Sequence, residues 1–483
     1  MTDNRLAGAA PGELRRNALG VSAITFFVIS AAAPLTTVAG GAPIGMLLGD
    51  GAGLAGTYFL VMLIILLFSV GYTAMARNIK NSGAFYAFNV QGLGGMVGGG
   101  VAIVALLAYN TMQAGIYGMF GAASSAWLST QFGVTVPWWV TAFTAMAAIA
   151  ILGYRNVDLS AKVLGLLVAG EFIVVLILDL AIVRKGGAGG LSTAPFTPSL
   201  IFSGSPVIAS LFGFASYIGF EATSIYSEEA RDPRRTIPRA TYLSVFIIGA
   251  FYTFTLWCMA DGEGVDRLPA ALKAMDDPTR FLFLLSDRYV GNVLTTAMSL
   301  LFISSLFAAL LAFHNAVARY FFALGRERLL PCSLGSTHSR HQSPHFGSVL
   351  QSLVAIVLVG AFAVTGQDPV LVLFSWLTNL GTLGVTAMMA ITSLTVLAFF
   401  HRNRDLDASI LRTKICPALS FVLMTLFSIQ AIRQFGVLTG ASTTMAVLLP
   451  FSLVAAMAIG VMVAARLKKT APEFYAKLGC PRD

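Results

Sequence analysis

Long apolar runs, separated by short polar stretches, recur along the whole chain. Twelve of these runs approach the roughly 20 residues that an α-helix needs to span about 30 Å of hydrocarbon. The pattern predicts an all-α membrane protein whose twelve transmembrane helices lie at about 17–47, 52–76, 96–127, 135–154, 159–183, 205–228, 238–260, 291–323, 347–365, 370–399, 414–433 and 443–466.

The composition also indicates a polytopic membrane protein. Hydrophobic residues make up 57% of the 483 and charged residues only 11%, so a soluble domain of this length would lack the polar residues to cover its surface. Most lysines and arginines lie in the two terminal tails and beside the loops after even-numbered spans, which accounts for the net charge of +9. The positive-inside rule therefore predicts a cytoplasmic membrane protein with both termini in the cytoplasm. A nucleic acid partner is not needed to explain this charge.

The cysteines and histidines show no metal-binding pattern. The four cysteines are widely scattered, without the CxxC or CxxH spacing of a zinc site or a disulfide framework. His338, His341 and His345 share one predicted cytoplasmic loop, but no flanking Cys, Asp or Glu ligands accompany them. We therefore expect no metal and no cofactor. The expected partners are a small-molecule substrate and the lipid bilayer, for a monomer or a homodimer.

Two predicted spans contain features that interrupt a helix. In the first span, Pro34 removes a backbone donor and disfavours helix at Ala33. In the sixth span, Gly219 and the carboxylate of Glu221 follow an apolar run, where a lipid-facing helix has no use for them. Backbone groups freed at that depth must be satisfied by protein, water or ligand, so an interrupted helix lines a cavity. Two such helices five spans apart indicate an inverted-repeat secondary transporter with its substrate between them.

A simpler interpretation of the first span stays open. Pro34 alone produces a kink, and the nearby glycines allow close helix packing.

Glu171 lies in the middle of the fifth predicted span, between apolar neighbours. An ionised carboxylate at the centre of a membrane helix costs roughly 2.5 to 3.5 kcal/mol on insertion scales. Such a group faces the protein interior, has a partner, or is protonated for part of its working cycle. Glu171 is therefore the predicted proton-coupling residue.

Polar residues on the third and eighth spans are further candidates. Gln113 shares one helix face with two tyrosines and is the residue of that span best suited to touch a substrate. A helix-to-helix hydrogen bond is an equally good reason for its presence. Ser304 and Ser305 form a possible cation site, although serines in membrane helices commonly bond their own backbone.

Three sequence blocks occur together at corresponding points of the predicted topology. They are SGAFY after the second span, GFE followed by EE-x-x-x-P-x-R-x-I-P-x-A from Gly219 to Ala240, and GRERLLP after the eighth span. With these blocks the chain resembles the amino acid/polyamine/organocation (APC) superfamily of permeases over about residues 17–466.

The resemblance implies a LeuT-type fold with broken first and sixth helices. Two inverted five-helix repeats would occupy 17–185 and 200–400, and two further helices 414–466, between cytoplasmic tails at 1–16 and 467–483.

The resemblance also implies roles for residues at the two breaks. Amides at the first break would meet a substrate carboxylate, carbonyls at the sixth would meet its ammonium group, and Phe214 or Tyr217 would close over the site. Glu221 matches a carboxylate often found just after the sixth-helix break. The candidate substrate-binding residues are Ser30, Ala31, Ala32, Ala33, Thr36, Gln113, Phe214, Ala215, Ser216, Tyr217, Ile218 and Glu221.

The chain departs from the family pattern in two places. SAAAPLTT replaces the usual glycine-serine-glycine at the first break, so the proline removes one amide there. Glu171 stands where some proton-coupled relatives have a lysine, so the charge is inverted.

The expected function is uptake of a small amine-bearing solute, first of all an amino acid, by alternating access. The expected coupling ion is the proton, and sodium is not excluded. The alternatives are an amine or polyamine permease, an exchanger on the same fold, or a membrane sensor without transport. No nucleophile, base and orienting group recur together at one depth, so an enzyme is not expected.

Overall fold

The computed structural model describes residues 19–79, 84–155, 161–221, 223–224, 230–338, 343–407, 409–440 and 442–479, and these contain helices and no strand. The predicted N-terminal tail therefore lies outside the described residues. The helices are α1 (Val21–Ala31), α2 (Ala42–Leu48), α3 (Leu54–Ala76), α4 (Ala84–Leu93), α5 (Gly95–Phe132), α6 (Trp138–Tyr154), α7 (Ala161–Lys185), α8 (Pro198–Ile201), α9 (Pro206–Ala215), α10 (Pro233–Glu263), α11 (Leu268–Lys273), α12 (Phe281–Tyr289), α13 (Asn292–Arg326), α14 (His345–Val364), α15 (Ser375–Arg402), α16 (Cys416–Leu438), α17 (Thr443–Thr470) and α18 (Pro472–Ala476).

Nine helices in the described ranges are long and apolar enough to cross a membrane. Three predicted spans coincide instead with shorter apolar helices, namely α1 with α2, α6, and α9. A multi-pass, all-helical membrane protein is thereby confirmed, while the total of twelve spans stays a prediction.

The first predicted span is interrupted where Pro34 stands. Helix α1 ends at Ala31, Ala33 has a positive φ of 45°, and a π-helical segment, Thr36–Gly41, leads into α2. Proline lacks the N–H that would continue the helical ladder, which explains the position of the break.

The sixth predicted span is interrupted after α9. That helix ends at Ala215, and Ser216 to Gly219 form turns instead of a further helical stretch. Gly219 has a φ of 113°, a conformation that side-chain-bearing residues rarely adopt. The glycine in the GFE block therefore has a specific backbone role.

Helix α5 occupies the centre of the bundle and packs against α15, α17, α13 and α4. Its crossing with α17 depends on glycines. A methyl group on Gly460 of α17 would overlap the carbonyl oxygen of Gly99 on α5, so the two backbones are almost in contact there. Small residues commonly permit this close approach between membrane helices.

We expect Gly460→Ala to destabilise the protein by about 1 to 3 kcal/mol, as overpacking of a tight contact does. The measurement is the loss of folded protein on heating in detergent. The matched control is Gly436→Ala in α16, where the new methyl group would meet only Ala446 at an ordinary 3.8 Å. Equal melting temperatures for the two variants would contradict the close crossing of α5 and α17.

Candidate functional site

The carboxylate of Glu171 on α7 reaches the interruption between α1 and α2. Its Oε2 accepts a hydrogen bond from the Leu35 amide at 3.0 Å and another from Ser305 Oγ of α13 at 2.9 Å. Thr36 Oγ1 in turn donates to Ser305 Oγ at 3.2 Å. Glu171 is only 2% exposed. One buried acid therefore connects the first break to two other helices.

The position of Glu171 has a clear electrostatic reason. The first amides of a helical segment lack partners within that segment, and the aligned peptide dipoles make this end positive. Leu35 directly precedes the segment Thr36–Gly41, so a carboxylate there satisfies an orphan donor and meets favourable charge. The sequence predicted Glu171 as a functional acid, but it did not identify these partners.

A second buried acid, Glu221, lies at the other break. Its Oε2 accepts from the Gly219 amide at 2.9 Å, and its Oε1 accepts from Tyr109 Oη of α5 at 2.8 Å. The Tyr72 hydroxyl of α3 donates to the Glu221 carbonyl at 2.9 Å. Glu221 is 3% exposed. The turn after α9 is therefore fastened to two neighbouring helices through this one residue.

Three tyrosines in mutual contact connect the two breaks. The ring of Tyr252 on α10 makes edge contacts with Tyr58 and Tyr217, with both pairs of centroids 6.2 Å apart. Tyr252 Oη donates to the Ala32 carbonyl at 3.2 Å, and Tyr58 Oη hydrogen-bonds to Ser216 Oγ at 3.0 Å. Tyr252 is thus bonded to the first break and Tyr58 to the second. No local sequence pattern identified these two tyrosines, because tyrosines in membrane helices are common and their contacts are long-range.

The two candidate gating aromatics point to different neighbours. Tyr217 is fully buried in the tyrosine group, and its hydroxyl has no hydrogen-bond partner among the described residues. Phe214 instead contacts Phe427 of α16, with the ring centroids 4.6 Å apart. Tyr217 is linked to the first break through its ring neighbour Tyr252, which donates a hydrogen bond to the Ala32 carbonyl.

The amides predicted to receive a substrate carboxylate already have partners in this conformation. The amides of Ala32 and Ala33 donate to the carbonyls of Val28 at 3.0 Å and Ser30 at 3.2 Å. Ser30 Oγ bonds the Phe26 carbonyl of the same helix. At the sixth break, the Ala215 and Tyr217 carbonyls accept hydrogen bonds from Ile218 and Phe220 amides, respectively.

The side chain of Gln113 forms hydrogen bonds with two neighbouring helices. Its side-chain amide donates to the Leu310 carbonyl of α13 at 3.1 Å, and its oxygen accepts from the Gln351 side chain of α14. These bonds join three helices, the packing role that the sequence left open. Contact of Gln113 with a substrate stays a prediction.

Ser304 and Ser305 have different hydrogen-bond partners. Ser304 Oγ donates to the Leu301 carbonyl of its own helix at 2.9 Å, whereas Ser305 bonds Glu171. The two side chains therefore do not converge on one point in this conformation.

A metal site in the loop of His338, His341 and His345 gains no support from the structure. In the described part of the chain, no group of three or more His, Cys, Asp or Glu residues could hold a metal ion. The rings of His338 and His345 contact each other at 5.4 Å between centroids. His341 and the two glutamates of the EE block, Glu228 and Glu229, lie outside the described residues.

Buried charge in the described residues has one sign. Five carboxylate side chains are buried, and no lysine or arginine is. They are Asp50, Glu171, Asp179, Glu221 and Asp261. The interior is therefore better suited to a cation than to an anion, because a buried carboxylate stabilises a positive charge nearby.

The chain matches the family described as amino acid permease over residues 19–463. The low-affinity putrescine importer PlaP of Escherichia coli is 28% identical over 350 residues, which cover 68% of this chain and 69% of that protein. The branched-chain amino acid permease BcaP of Bacillus subtilis is 24% identical over 424 residues, covering 80% and 82%. The methylthioribose transporter of Bacillus subtilis is 24% identical over 382 residues, covering 75% and 76%.

The family match includes both breaks, Glu171 and Glu221, together with the three blocks that suggested the resemblance. The relatives are permeases and transporters, not enzymes. This chain is therefore a permease of the amino acid permease family, within the APC superfamily.

Proposed function

We propose that this protein takes up a small amine-bearing solute across the cytoplasmic membrane, coupled to protons and by alternating access. The single observation that carries the proposal is the buried carboxylate of Glu171, which bonds the Leu35 amide at the first break and Ser305 on α13. The proposed architecture is two inverted five-helix repeats, 17–185 and 200–400, plus two helices, with both termini in the cytoplasm.

Glu171 would couple a proton to movement of the first break. In its ionised form the carboxylate holds the positive end of the segment after Pro34 against α13. A protonated carboxyl has no net charge, and charge-assisted hydrogen bonds are roughly twice as strong as neutral ones. Protonation would therefore loosen the link between the break and α13, which lets the two change their relative position. Sodium stays the alternative coupling ion.

The amine group of the solute would be recognised by acids and carbonyls near the sixth break. Glu221 supplies negative charge there, and the described interior contains no buried lysine or arginine to oppose a cation. The putrescine importer among the relatives is named for a diamine, and the Bacillus subtilis permease is named for branched-chain amino acids. Both solutes carry an amine, which is the chemical feature we assign to the cargo.

An amine or polyamine without a carboxylate is the second candidate. The amides of Ala32 and Ala33 bond carbonyls of their own segment, Pro34 has no amide, and the Leu35 amide bonds Glu171. In this conformation the protein's own carboxylate thus occupies the first break, where an amino acid carboxylate would bind. Protonation of Glu171 would release the Leu35 amide for an amino acid, so the two candidates differ in a testable way.

Ligands that bind the folded state raise its apparent stability, so thermal shifts can separate the candidates. We expect amino acids to stabilise the purified protein. The stabilisation should be stronger at acidic than at neutral pH, because protonation of Glu171 would release the Leu35 amide. The panel compares amino acids, their decarboxylated amines and polyamines at both pH values. Stabilisation by the amines alone would replace the first candidate with the second. Stabilisation by none of them would contradict an amine-bearing cargo.

A further inference from the structure

Four arginines surround a concave surface at the adjoining ends of α3 and α10. The cavity measures about 430 Å³, and we refer to it as the arginine pocket. Its lining residues are Arg77, Arg234, Arg235, Pro238, Arg239 and Tyr242. Three of the arginines come from the RDPRRTIPRA stretch, which the proposed transport mechanism does not use.

The arginines of this pocket lack strong acidic partners in the described part of the chain. Arg235 lies 3.7 Å from Asp232, but both side chains are more than half exposed, so the pair contributes little. Arg77 has a buried Nε without a hydrogen-bond partner among the described residues. A buried guanidinium nitrogen without an acceptor is costly, so an acceptor from outside the chain would stabilise this arrangement.

The N-terminus of α10 adds to the positive charge of the pocket. Arg234, Arg235 and Arg239 lie in the first two turns of α10, where the peptide dipoles already produce positive charge. Positive side chains at a helix N-terminus repel that end and each other. A bound anion would reverse both unfavourable terms, and a helix N-terminus is itself a favourable place for phosphate.

The surface next to the pocket is apolar and exposed. Leu243 and Phe246 are 43% and 57% exposed and follow Arg239 at helical spacings of four and seven residues, so the three share one face of α10. A soluble phosphate would use only the arginines. A phospholipid would use both surfaces, with its headgroup among the arginines and its acyl chains along the two apolar side chains.

We propose that the arginine pocket binds the headgroup of an anionic phospholipid. The guanidinium groups of Arg77 and Arg239 would approach the phosphate from α3 and α10, with the forked geometry that suits phosphate oxygens. Basic pockets between transmembrane helices bind such headgroups in other membrane proteins. The bound lipid would join the ends of the two helices at this face of the bundle.

The test is lipid binding to the purified full-length protein after removal of native lipid in detergent. The probes are phosphatidylglycerol, cardiolipin, phosphatidylethanolamine and inorganic phosphate, and the readouts are bound lipid by native mass spectrometry and the melting temperature. We expect the two anionic lipids to bind and to raise the melting temperature, and phosphatidylethanolamine and phosphate to have little effect. Equal binding of phosphatidylethanolamine would overturn the proposal. A shift with inorganic phosphate equal to that with lipid would assign the pocket to a soluble anion instead.

Variants locate the binding. Arg239→Gln and Arg77→Gln should each weaken binding of the anionic lipids about fivefold, the effect of one arginine near an anionic lipid surface. The matched control is Arg404→Gln, because Arg404 is an exposed arginine outside the pocket. This variant should bind lipid like the unaltered protein. If Arg77→Gln fails to fold, Arg234→Gln replaces it, because Arg234 is exposed. Unchanged binding in the folded pocket variants, or an equal loss in the control, would rule out this site.

Discussion

Replacing Glu171 with glutamine is expected to abolish proton-driven accumulation while leaving solute binding in place. Glutamine has almost the same shape as the protonated acid and, like it, carries no charge, so the Leu35 amide should stay available to the solute. Glutamine cannot gain or lose a proton in the working range. One pH unit corresponds to about 1.4 kcal/mol, so a one-unit gradient with one proton per solute supports about tenfold accumulation, all of which the variant should lose.

The measurement is uptake by the protein in liposomes with an imposed inward pH gradient, beside solute exchange without a gradient. The matched control is Asp179→Asn, another buried acid of α7, whose carboxylate accepts from Thr255 at 2.7 Å and contacts neither break. The control should accumulate solute as the unaltered protein does. Gradient-driven accumulation that survives in Glu171→Gln would place the coupling at another residue. Loss of both uptake and exchange would indicate a structural role for Glu171.

Replacing Gly219 with alanine is expected to remove solute binding and transport together. The φ of 113° at this position costs a residue with a side chain about 1 to 3 kcal/mol, and the turn would relax to avoid that strain. The Gly219 amide bonds Glu221 at 2.9 Å, so a relaxed turn would also displace the acid that is proposed to attract the amine. Exchange in liposomes and ligand-induced thermal shifts measure the two effects separately.

The control for this substitution is Gly360→Ala in α14. That glycine lies within a regular helix, and the added methyl group would meet only Phe143 at 3.9 Å. Alanine is favoured over glycine inside helices by up to about 1 kcal/mol, so the control should be as stable as the unaltered protein or more so. A Gly219→Ala variant that binds and transports like this control would show that the backbone at the sixth break does not position the site.

The sequence alone determined the features that depend on local chemistry. Long apolar runs predicted membrane helices, because the hydrocarbon thickness fixes the length of a span. Pro34 and Gly219 marked the two interruptions, because proline removes a donor and glycine tolerates a positive φ wherever they occur. Glu171 and Glu221 stood out because carboxylates are costly at membrane depth whatever surrounds them. Three local blocks were enough to indicate the family.

Only the tertiary structure decided which groups meet. Glu171 bonds Leu35 and Ser305 across sequence separations of 136 and 134 residues, and no periodicity encodes such a pairing. For Gln113 the sequence left substrate contact and helix-to-helix bonding equally open, and only the packing of the bundle brings its side chain to α13 and α14.

The same holds for the aromatic residues between the breaks. Tyr252 carried no local signal, and its contact with the Ala32 carbonyl exists only because α10 crosses beside the first break. The sequence of one helix indicates which of its side chains are costly to expose or to bury. The packing of several helices together determines the partners that compensate those costs, and in this permease those partners form the candidate site.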